Sequence, residues 1–224
     1  MLVQRQRNAG KRHLGCDYCL DIIDKKILGI FYVCNITKEQ PMDICIKRMQ
    51  LSEKYLNERM ENLAKNDLIT KDKKSLTEFG RTALHVVLAG GVFDIIHPGH
   101  IHTLNAAKVL GDVLVVVVAT ASTAVKMKKR TPLHTEEHRQ ELVGSLSMVD
   151  LCIVGREGDI FKTVEIVKPD IIALGYDQAH QEKFITDGCK NLGLEVRVAR
   201  LQSPIPEFSS SKIEKEYGEA LHGI

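Results

Sequence analysis

The stretch that decides the fold of this chain is Gly90-Gly91-Val92-Phe93-Asp94-Ile95-Ile96-His97-Pro98-Gly99-His100. The apolar run 86–89 before it predicts a buried strand, the paired glycines allow a tight turn, and Pro98-Gly99 favours a helix start. A helix N-terminus offers unpaired N–H groups and the positive end of a dipole to an anion. Two histidines three residues apart at such a terminus can both donate to one cluster of oxygens. The stretch therefore predicts a phosphate-binding turn between a strand and a helix.

Two motifs in this stretch, GVFD at residues 91–94 and HPGH at residues 97–100, resemble the GTFD and HxGH motifs of the cytidylyltransferase-like nucleotidyltransferase superfamily. Later segments follow the order of the same superfamily, namely AKVLGD at 107–112, EHR at 137–139, PDIIALGYDQ at 169–178 and SSSKI at 209–213. The GYDQ form of the fourth motif is most similar to archaeal FAD synthases, which transfer AMP from ATP to FMN. The resemblance covers roughly residues 85–215 and implies a nucleotidyltransferase that takes ATP and FMN as substrates.

From residue 85 onward the sequence alternates apolar strands with helices. Strands are predicted at 86–89, 112–119, 151–154, 171–174 and 195–199, and helices at 135–146, 161–167, 181–191 and 210–221. This alternation predicts an α/β fold with a Rossmann-like parallel sheet covered on both faces. Such sheets bind ligands at the carboxyl ends of strands beside the switch point. We assign residues 85–224 to an HxGH nucleotidyltransferase domain.

Residues 1–84 have a different pattern. Helices are predicted at 18–33, 42–49 and 52–64, followed by a hairpin at 68–77 with the polar tip 72–74 and a short helix from Glu78. The order of these elements resembles a small winged-helix domain, mostly helical with one β-hairpin. Many such domains bind DNA with the third helix in the major groove. We therefore assign residues 1–84 to a winged-helix domain, with DNA as a candidate partner.

The charge distribution leaves the role of this domain open. Residues 1–85 carry 16 Lys and Arg against 11 Asp and Glu, whereas the remainder carries 15 against 18. The third predicted helix has no net charge, so the basic candidates for phosphate contact are the N-terminal tail and the tip at 71–74. DNA binding and docking to another domain or to a second copy are both consistent with this pattern.

Nucleotidyl transfer requires in-line attack on the α-phosphorus of a nucleoside triphosphate, so catalysis consists of positioning and charge neutralisation. The resemblance implies that His97 and His100 contact the triphosphate, that Arg139 approaches the phosphates, and that a basic loop clamps the leaving pyrophosphate. Lys126, Lys128 and Lys129 are the alternatives for that clamp, and Lys128 is placed among the catalytic residues with the histidines and Arg139. The nucleotide-binding candidates are Gly91, Val92, Phe93, Asp94, Pro98, Gly99, Lys126, Lys129, Gly175, Tyr176, Asp177, Ser209, Ser210 and Ser211.

The expected ion is Mg²⁺, which binds mostly through substrate oxygens and needs few protein ligands. Asp94 is expected to hold the loop or a metal, and no metal centre made of protein ligands is predicted. Six cysteines at irregular spacing indicate reduced thiols, and no run approaches the roughly 20 apolar residues of a spanning helix. We therefore expect a cytoplasmic protein without a membrane partner. A homodimer is a separate expectation.

Two departures from the superfamily pattern concern Val92, where a threonine is usual, and Ala121, where an aspartate is usual. The C-terminal segment 202–210 also lacks the arginine of glycerol phosphate cytidylyltransferases, which argues against that substrate. The leading hypothesis is adenylyl transfer to FMN. The alternatives are cytidylyl or adenylyl transfer to glycerol 3-phosphate or another small phosphate, and a winged-helix transcriptional regulator that senses a nucleotide or flavin.

Overall fold

The structure is a computed structural model that describes residues 19–157, 159–202 and 213, and only the backbone of residues 176, 177 and 179. Its centre is a five-stranded parallel sheet with the order β3-β2-β1-β4-β5. The strands are β1 Val86–Gly91, β2 Val113–Val118, β3 Leu151–Val154, β4 Ile171–Leu174 and β5 Arg197–Arg200. The predicted α/β class with a Rossmann-like parallel sheet is therefore confirmed. The helix predicted at 210–221 lies outside the described residues, except for residue 213.

The strand order reverses beside β1. The chain passes from β1 to β2 to β3 on one side and then returns to place β4 on the other side of β1. In the register, Leu88 of β1 lies between Val115 of β2 and Ile172 of β4. The carboxyl ends of β1 and β4 therefore form the switch point, where parallel sheets of this kind bind ligands.

Nine helices are assigned within the described residues, and several begin at a side-chain cap. The hydroxyl groups of Ser52, Thr77 and Thr135 each accept from a backbone N–H three residues further on, as helix caps do. The helices are α1 Ile22–Thr37, α2 Pro41–Met49, α3 Glu53–Lys65, α4 Glu78–Thr82, α5 Pro98–Lys108, α6 Ala121–Lys128, α7 Glu136–Gly144, α8 Ile160–Val167 and α9 Glu182–Asn191.

The basic segment after β2 differs from its prediction. It was expected to be a flexible loop, but most of it forms α6. Thr120 caps this helix by accepting from the N–H of Thr123, and Ala124 is buried beneath it. The helix ends at Lys129, which has a left-handed backbone with φ of 59°. Lys126 and Lys128 therefore lie in the last helical turn, where cations interact favourably with the helix dipole.

The first part of the described chain contains three helices followed by a single antiparallel bridge between Ile69 and Leu76. The turn between these two residues contains Asp72, whose carboxylate accepts from the hydroxyl of Thr70 and the N–H of Lys74. This order of elements is the one expected from the sequence. The assignment to the winged-helix class stays a prediction.

One hydrophobic cluster crosses the predicted domain boundary at residues 84 and 85. It joins α1, α3, one face of the sheet, α8 and α9. Gly29 of α1 lies so close to β2 that an added Cβ would be 3.1 Å from Cγ2 of Val113. The buried hydroxyl of Tyr32 donates to the carbonyl oxygen of Val167 over 2.6 Å. The first helix is therefore one of the layers that cover the sheet, while α5 and α7 belong to the cluster on the opposite face.

Three aspartates fix the amino ends of the strands. Each carboxylate accepts from a backbone N–H at or beside the start of the neighbouring strand. These bonds fix the strand register, and the register sets the positions of the carboxyl ends of the strands. The bonds are Asp112 from His85 at 2.9 Å, Asp150 from Leu114 at 2.6 Å, and Asp170 from Val86 at 2.7 Å.

Each of these aspartates also pairs with a cation, namely Lys25 with Asp112, Lys108 with Asp150 and Arg81 with Asp170. Lys25 and Arg81 precede residue 85, so two of the three ion pairs connect the first part of the chain to the sheet. Arg81 also donates to the carbonyl oxygen of Lys168 over 2.7 Å.

Candidate active site

The candidate site lies at the switch point, and Gln178 connects its two strands. The Oε1 atom of Gln178 accepts from the N–H of Gly175 at the end of β4, over 3.0 Å. Its Nε2 atom donates to the carbonyl oxygen of Gly90 in β1 at 3.5 Å. Gln178 was not among the predicted site residues, although the last position of the GYDQ motif was the available signal.

The turn after β1 is shaped by the side chain of Phe93. This residue has a left-handed backbone with φ of 52°, and its ring is buried. A Cβ added to Gly91 would lie 2.9 Å from both Cε2 and Cζ of that ring. Gly91 is therefore required by the close approach of Phe93. The backbone of the turn is held in a conformation that side chains rarely adopt.

The two histidines of the HPGH motif stack at the start of α5. His97 is the N-cap residue in an extended conformation, and Pro98 occupies the first helical turn. The rings of His97 and His100 lie 3.9 Å apart between centroids with an interplanar angle of 28°. The ring of His100 also packs against the ring of Phe93, with 5.1 Å between the ring centroids. The predicted pair is thus assembled, and Phe93 joins it to the turn.

Both imidazoles have lowered pKa values. Burial lowers the pKa of His100 to about 4, the charges of His97 and Lys128 act in the same direction, and a backbone hydrogen bond with Ile95 opposes them. Burial also lowers the pKa of His97, with Lys128 contributing. The Nδ1 atoms of both rings are buried without a hydrogen-bond partner among the described residues. An anion at this position would favour the protonated rings.

The three candidate lysines differ in their electrostatic effect on the histidine pair. The positive charge of Lys128 acts on both His97 and His100, and it lowers the pKa of each. Neither Lys126 nor Lys129 contributes to those two shifts. All three side chains are exposed, so each can reach solvent or a ligand. Lys128 is therefore the one of the three lysines whose charge acts on the histidine pair.

Asp94 fixes the loop that follows α6. Its carboxylate is only 3% exposed, accepts from Arg130 at 2.8 Å, and accepts from the N–H of His134 at 3.2 Å. Nδ1 of His134 lies 2.9 Å from the backbone oxygen of Asp94. Burial alone would raise the pKa of Asp94, but the bonds from the backbone of His134 and from Arg130 outweigh it and lower the pKa. Asp94 was predicted to hold either the loop or a metal ion, and its hydrogen bonds in the structure are with Arg130 and His134 of the loop.

Arg139 lies beneath the turn with a side chain that is 0% exposed. Its Nη1 donates to the carbonyl oxygens of Val92 at 2.7 Å and Ala119 at 2.9 Å, and its Nε donates to that of His134 at 3.1 Å. Nη2 is buried without a partner among the described residues. Burial lowers the pKa of this guanidinium, and Asp94 opposes that effect. Arg139 therefore connects the ends of β1 and β2 to the loop.

The remaining predicted positions are distributed around this centre. Val92 and Gly99 are buried, and Pro98 is exposed. Gly175 follows β4 directly, and the backbone of Tyr176 and Asp177 begins a 3₁₀ turn that runs to Gln181. Ser209, Ser210 and Ser211 lie outside the described residues.

Within the residues that the structure describes, no group of three or more His, Cys, Asp or Glu side chains could hold a metal ion. Asp94, the carboxylate of the GVFD motif, already accepts from Arg130 and His134. Across the same part of the chain, no helix combines the length and apolar character needed to cross a bilayer.

A stacked histidine pair at a helix start, beside the switch point of a parallel sheet, is suited to binding an anionic ligand such as a nucleotide phosphate. The sequence profile of the cytidylyltransferase-like family matches residues 88–216. The chain belongs to this family.

Several relatives carry the name FAD synthase. One from Picrophilus torridus is 50% identical over 125 residues, which are 56% of this chain and 89% of the relative. Another, from Thermoplasma volcanium, is 46% identical over 136 residues, or 60% of this chain and 95% of the relative. A crystal structure titled lipopolysaccharide core biosynthesis protein, from Thermoplasma volcanium GSS1, is 48% identical with a TM-score of 0.51. It covers 54% of this chain and 98% of its own.

These alignments cover nearly all of each relative but little more than half of this chain. The profile match begins at residue 88. The helices α1 to α4 therefore precede the segment that matches the family.

Proposed function

We propose that this chain transfers AMP from ATP to FMN and produces FAD and pyrophosphate. The observation that supports the proposal most directly is the stacked pair of His97 and His100 at the helix start beside the switch point. Relatives at about 50% identity share the name FAD synthase, which supports FMN as the acceptor. The family match over residues 88–216 includes the histidine pair.

In this reaction a phosphate oxygen of FMN attacks the α-phosphorus of ATP. A new P–O–P bond forms to that phosphorus, and the bond to the β-phosphate oxygen breaks, so that pyrophosphate leaves with the electron pair. No covalent bond to the protein is needed, and the protein supplies positioning and charge stabilisation.

The triphosphate is proposed to lie across the carboxyl ends of β1 and β4, against the turn at 91–94 and the start of α5. His97 and His100 would donate to the oxygens of the α-phosphate, whose negative charge grows in the transition state. Lys128 would stabilise the leaving pyrophosphate, with Lys126 and Lys129 as weaker candidates. Arg139 holds the backbone of the turn in place and acts as a positioning residue. Gly175, Tyr176, Asp177 and the serines 209–211 are proposed to contact the nucleotide.

Mg²⁺ enters this proposal as part of the substrate, bound to the phosphates of ATP. Mg²⁺ keeps several waters and binds through substrate oxygens with few protein ligands. The described residues fit that arrangement, since Asp94 already accepts from Arg130 and His134. The ion neutralises charge on the pyrophosphate, which complements the contribution of Lys128.

The other acceptors are less favoured. Only the family name supports cytidylyl transfer or glycerol 3-phosphate as the acceptor. FMN as the acceptor is supported by the name of relatives at about 50% identity. A DNA-binding role is less favoured too, because two of the cations near α3 are held in ion pairs within the chain. Arg59 binds Asp21 and Asp24, and Lys73 binds Glu61. Retention of the full chain on DNA at several salt concentrations tests this role, and sedimentation tests the predicted homodimer.

The proposed function is tested by incubating the protein with Mg²⁺ and each pairing of ATP or CTP with FMN or glycerol 3-phosphate. We expect FAD and pyrophosphate from ATP and FMN. The variant His97→Asn should lose on the order of 100-fold in kcat. His138→Asn, an exposed neighbour of Arg139, is the matched control and should retain activity. Turnover only with CTP as the donor would contradict the assignment of ATP. Turnover only with glycerol 3-phosphate as the acceptor would contradict the assignment of FMN.

A further inference from the structure

A shallow apolar cleft of about 580 Å³ runs along the outer side of α5. Four of its lining residues, at positions 98, 101, 102 and 105, follow the spacing that places side chains on one side of a helix. The opposite side of the helix is buried against the sheet through Leu104 and Ala107. The cleft is lined by Ile96, His97, Pro98, Ile101, His102 and Asn105.

This cleft is continuous with the candidate catalytic pair. His97 lines it and at the same time stacks on His100 at 3.9 Å. A ligand that fills the cleft therefore ends beside the imidazole that is proposed to contact the α-phosphate. The position suits an acceptor whose bulky part lies along α5 and whose phosphate reaches the histidines.

The lining indicates what kind of group fits. Ile96, Pro98 and Ile101 present apolar surface, and the polar side chains of His102 and Asn105 stand at the same side. Asn105 lies seven positions after Pro98 along the helix, a rise of roughly 10 Å. That length accommodates three fused six-membered rings. Small-molecule sites are lined mainly by apolar side chains, with a few polar groups that fix the orientation of the ligand.

We infer that this cleft holds the isoalloxazine ring of FMN, with its dimethylbenzene part on Ile96 and Ile101 and its polar pyrimidine edge near His102 and Asn105. The inference rests on the proposed function, since it assigns a place to the acceptor of that reaction. It makes the outer side of α5 the determinant of acceptor choice, while the switch point binds ATP.

The test compares equilibrium binding of FMN, followed by flavin fluorescence, with binding of ATP. The variants are Ile101→Ala and Asn105→Ala, and the second removes an exposed side chain that the fold does not need. Val109→Ala is the matched control, because Val109 is 86% exposed on the same segment but lies outside the cleft. We expect each cleft variant to raise the Kd for FMN by roughly tenfold. The Kd for ATP should change less than twofold, and the control should leave both values unchanged.

An unchanged Kd for FMN in both cleft variants would overturn the inference. A raised Kd for ATP with an unchanged Kd for FMN would also overturn it, because it would place the nucleotide in the cleft. Assays of FAD formation separate this outcome from failure of the proposed function. If the wild-type chain makes FAD and the cleft variants bind FMN normally, the cleft assignment fails and the function stands. If the wild-type chain binds FMN through the cleft but forms no FAD, the function fails and the cleft assignment stands.

Discussion

Arg139 and Val92 are joined by a hydrogen bond of 2.7 Å from the guanidinium to a backbone carbonyl oxygen. This bond connects a fully buried cation of α7 to the residue that precedes Phe93, the left-handed position of the turn after β1. The same side chain also binds the carbonyl oxygens of Ala119 and His134. The shape of the turn therefore depends on a residue 47 positions away in the sequence.

The variant Arg139→Met should lose both stability and activity. It leaves three carbonyl oxygens without their donor, at a cost of about 1–3 kcal/mol for each one that stays buried. Urea unfolding and kcat measure the two effects, and Arg156→Met, an exposed arginine, is the control. A normal unfolding free energy with only a raised KM for ATP would instead make Arg139 a phosphate ligand.

Binding of ATP should be coupled to proton uptake by the histidine pair. The pKa of His100 is about 4 in the free protein, so this ring is neutral at pH 7. A triphosphate raises that pKa, so the complex binds more protons than the free protein and affinity increases as the pH falls. Calorimetry in buffers of different ionisation enthalpy should detect uptake of up to about one proton.

The uptake should fall in His100→Asn and persist in His138→Asn. The same uptake in both variants would assign the proton to another group. Equal affinity for ATP at pH 6 and pH 8 would show that the pair is not linked to binding.

The two glycines of the turn should differ in their tolerance of a methyl group. In Gly91→Ala the new Cβ would lie 2.9 Å from the ring of Phe93, which would displace the ring that contacts His100. Overpacking of this kind costs about 1–3 kcal/mol. In Gly90→Ala the nearest atom is the carbonyl oxygen of Val117 at 3.6 Å, an ordinary contact. Thermal unfolding and kcat/KM of the pair measure the difference, and equal values would contradict it.

The variant Lys128→Gln should reduce kcat by on the order of 100-fold, since it removes a cation from the developing charge on the phosphates. It should also raise the pKa of both histidines, because the charge of Lys128 lowers them in the wild-type protein. Titration by NMR measures the pKa values. Lys126→Gln is the control, and a larger effect there than at Lys128 would move the clamp to Lys126.

The variant Tyr32→Phe should destabilise the whole chain. Removal of the hydroxyl leaves the buried carbonyl oxygen of Val167 without its donor, which costs about 1–3 kcal/mol. Because α1 shares a core with the sheet, calorimetry should show one transition shifted to lower temperature. Tyr55→Phe on α3 is the control. Two separate transitions would contradict a shared core.

The sheet was predictable because its strands are short apolar runs between helices. The strands 151–154 and 171–174 were predicted with the bounds that the structure has. The helix α6 was missed, since two lysines in its eight residues and a third at its C-cap also suit an exposed loop. The cap formed by Thr120 is a weak signal in sequence.

The candidate site was predictable where its residues are adjacent in sequence, as in the two histidines. The burial of Arg139 was not, because its three acceptors come from separate segments of the chain. The packing of α1 against β2 was not predictable either. An amphipathic pattern shows that α1 has an apolar face but does not show what that face contacts.

The position of α1 over Val113 bears on how this protein arose. Residues before 85 lie outside the segment that matches the family, yet they cover part of the sheet. A recombination event that removed them would leave valine side chains of β2 in water. A chain made of the matched segment alone has to cover that surface in another way. We therefore expect gain or loss of the N-terminal helices to require compensating substitutions on the sheet.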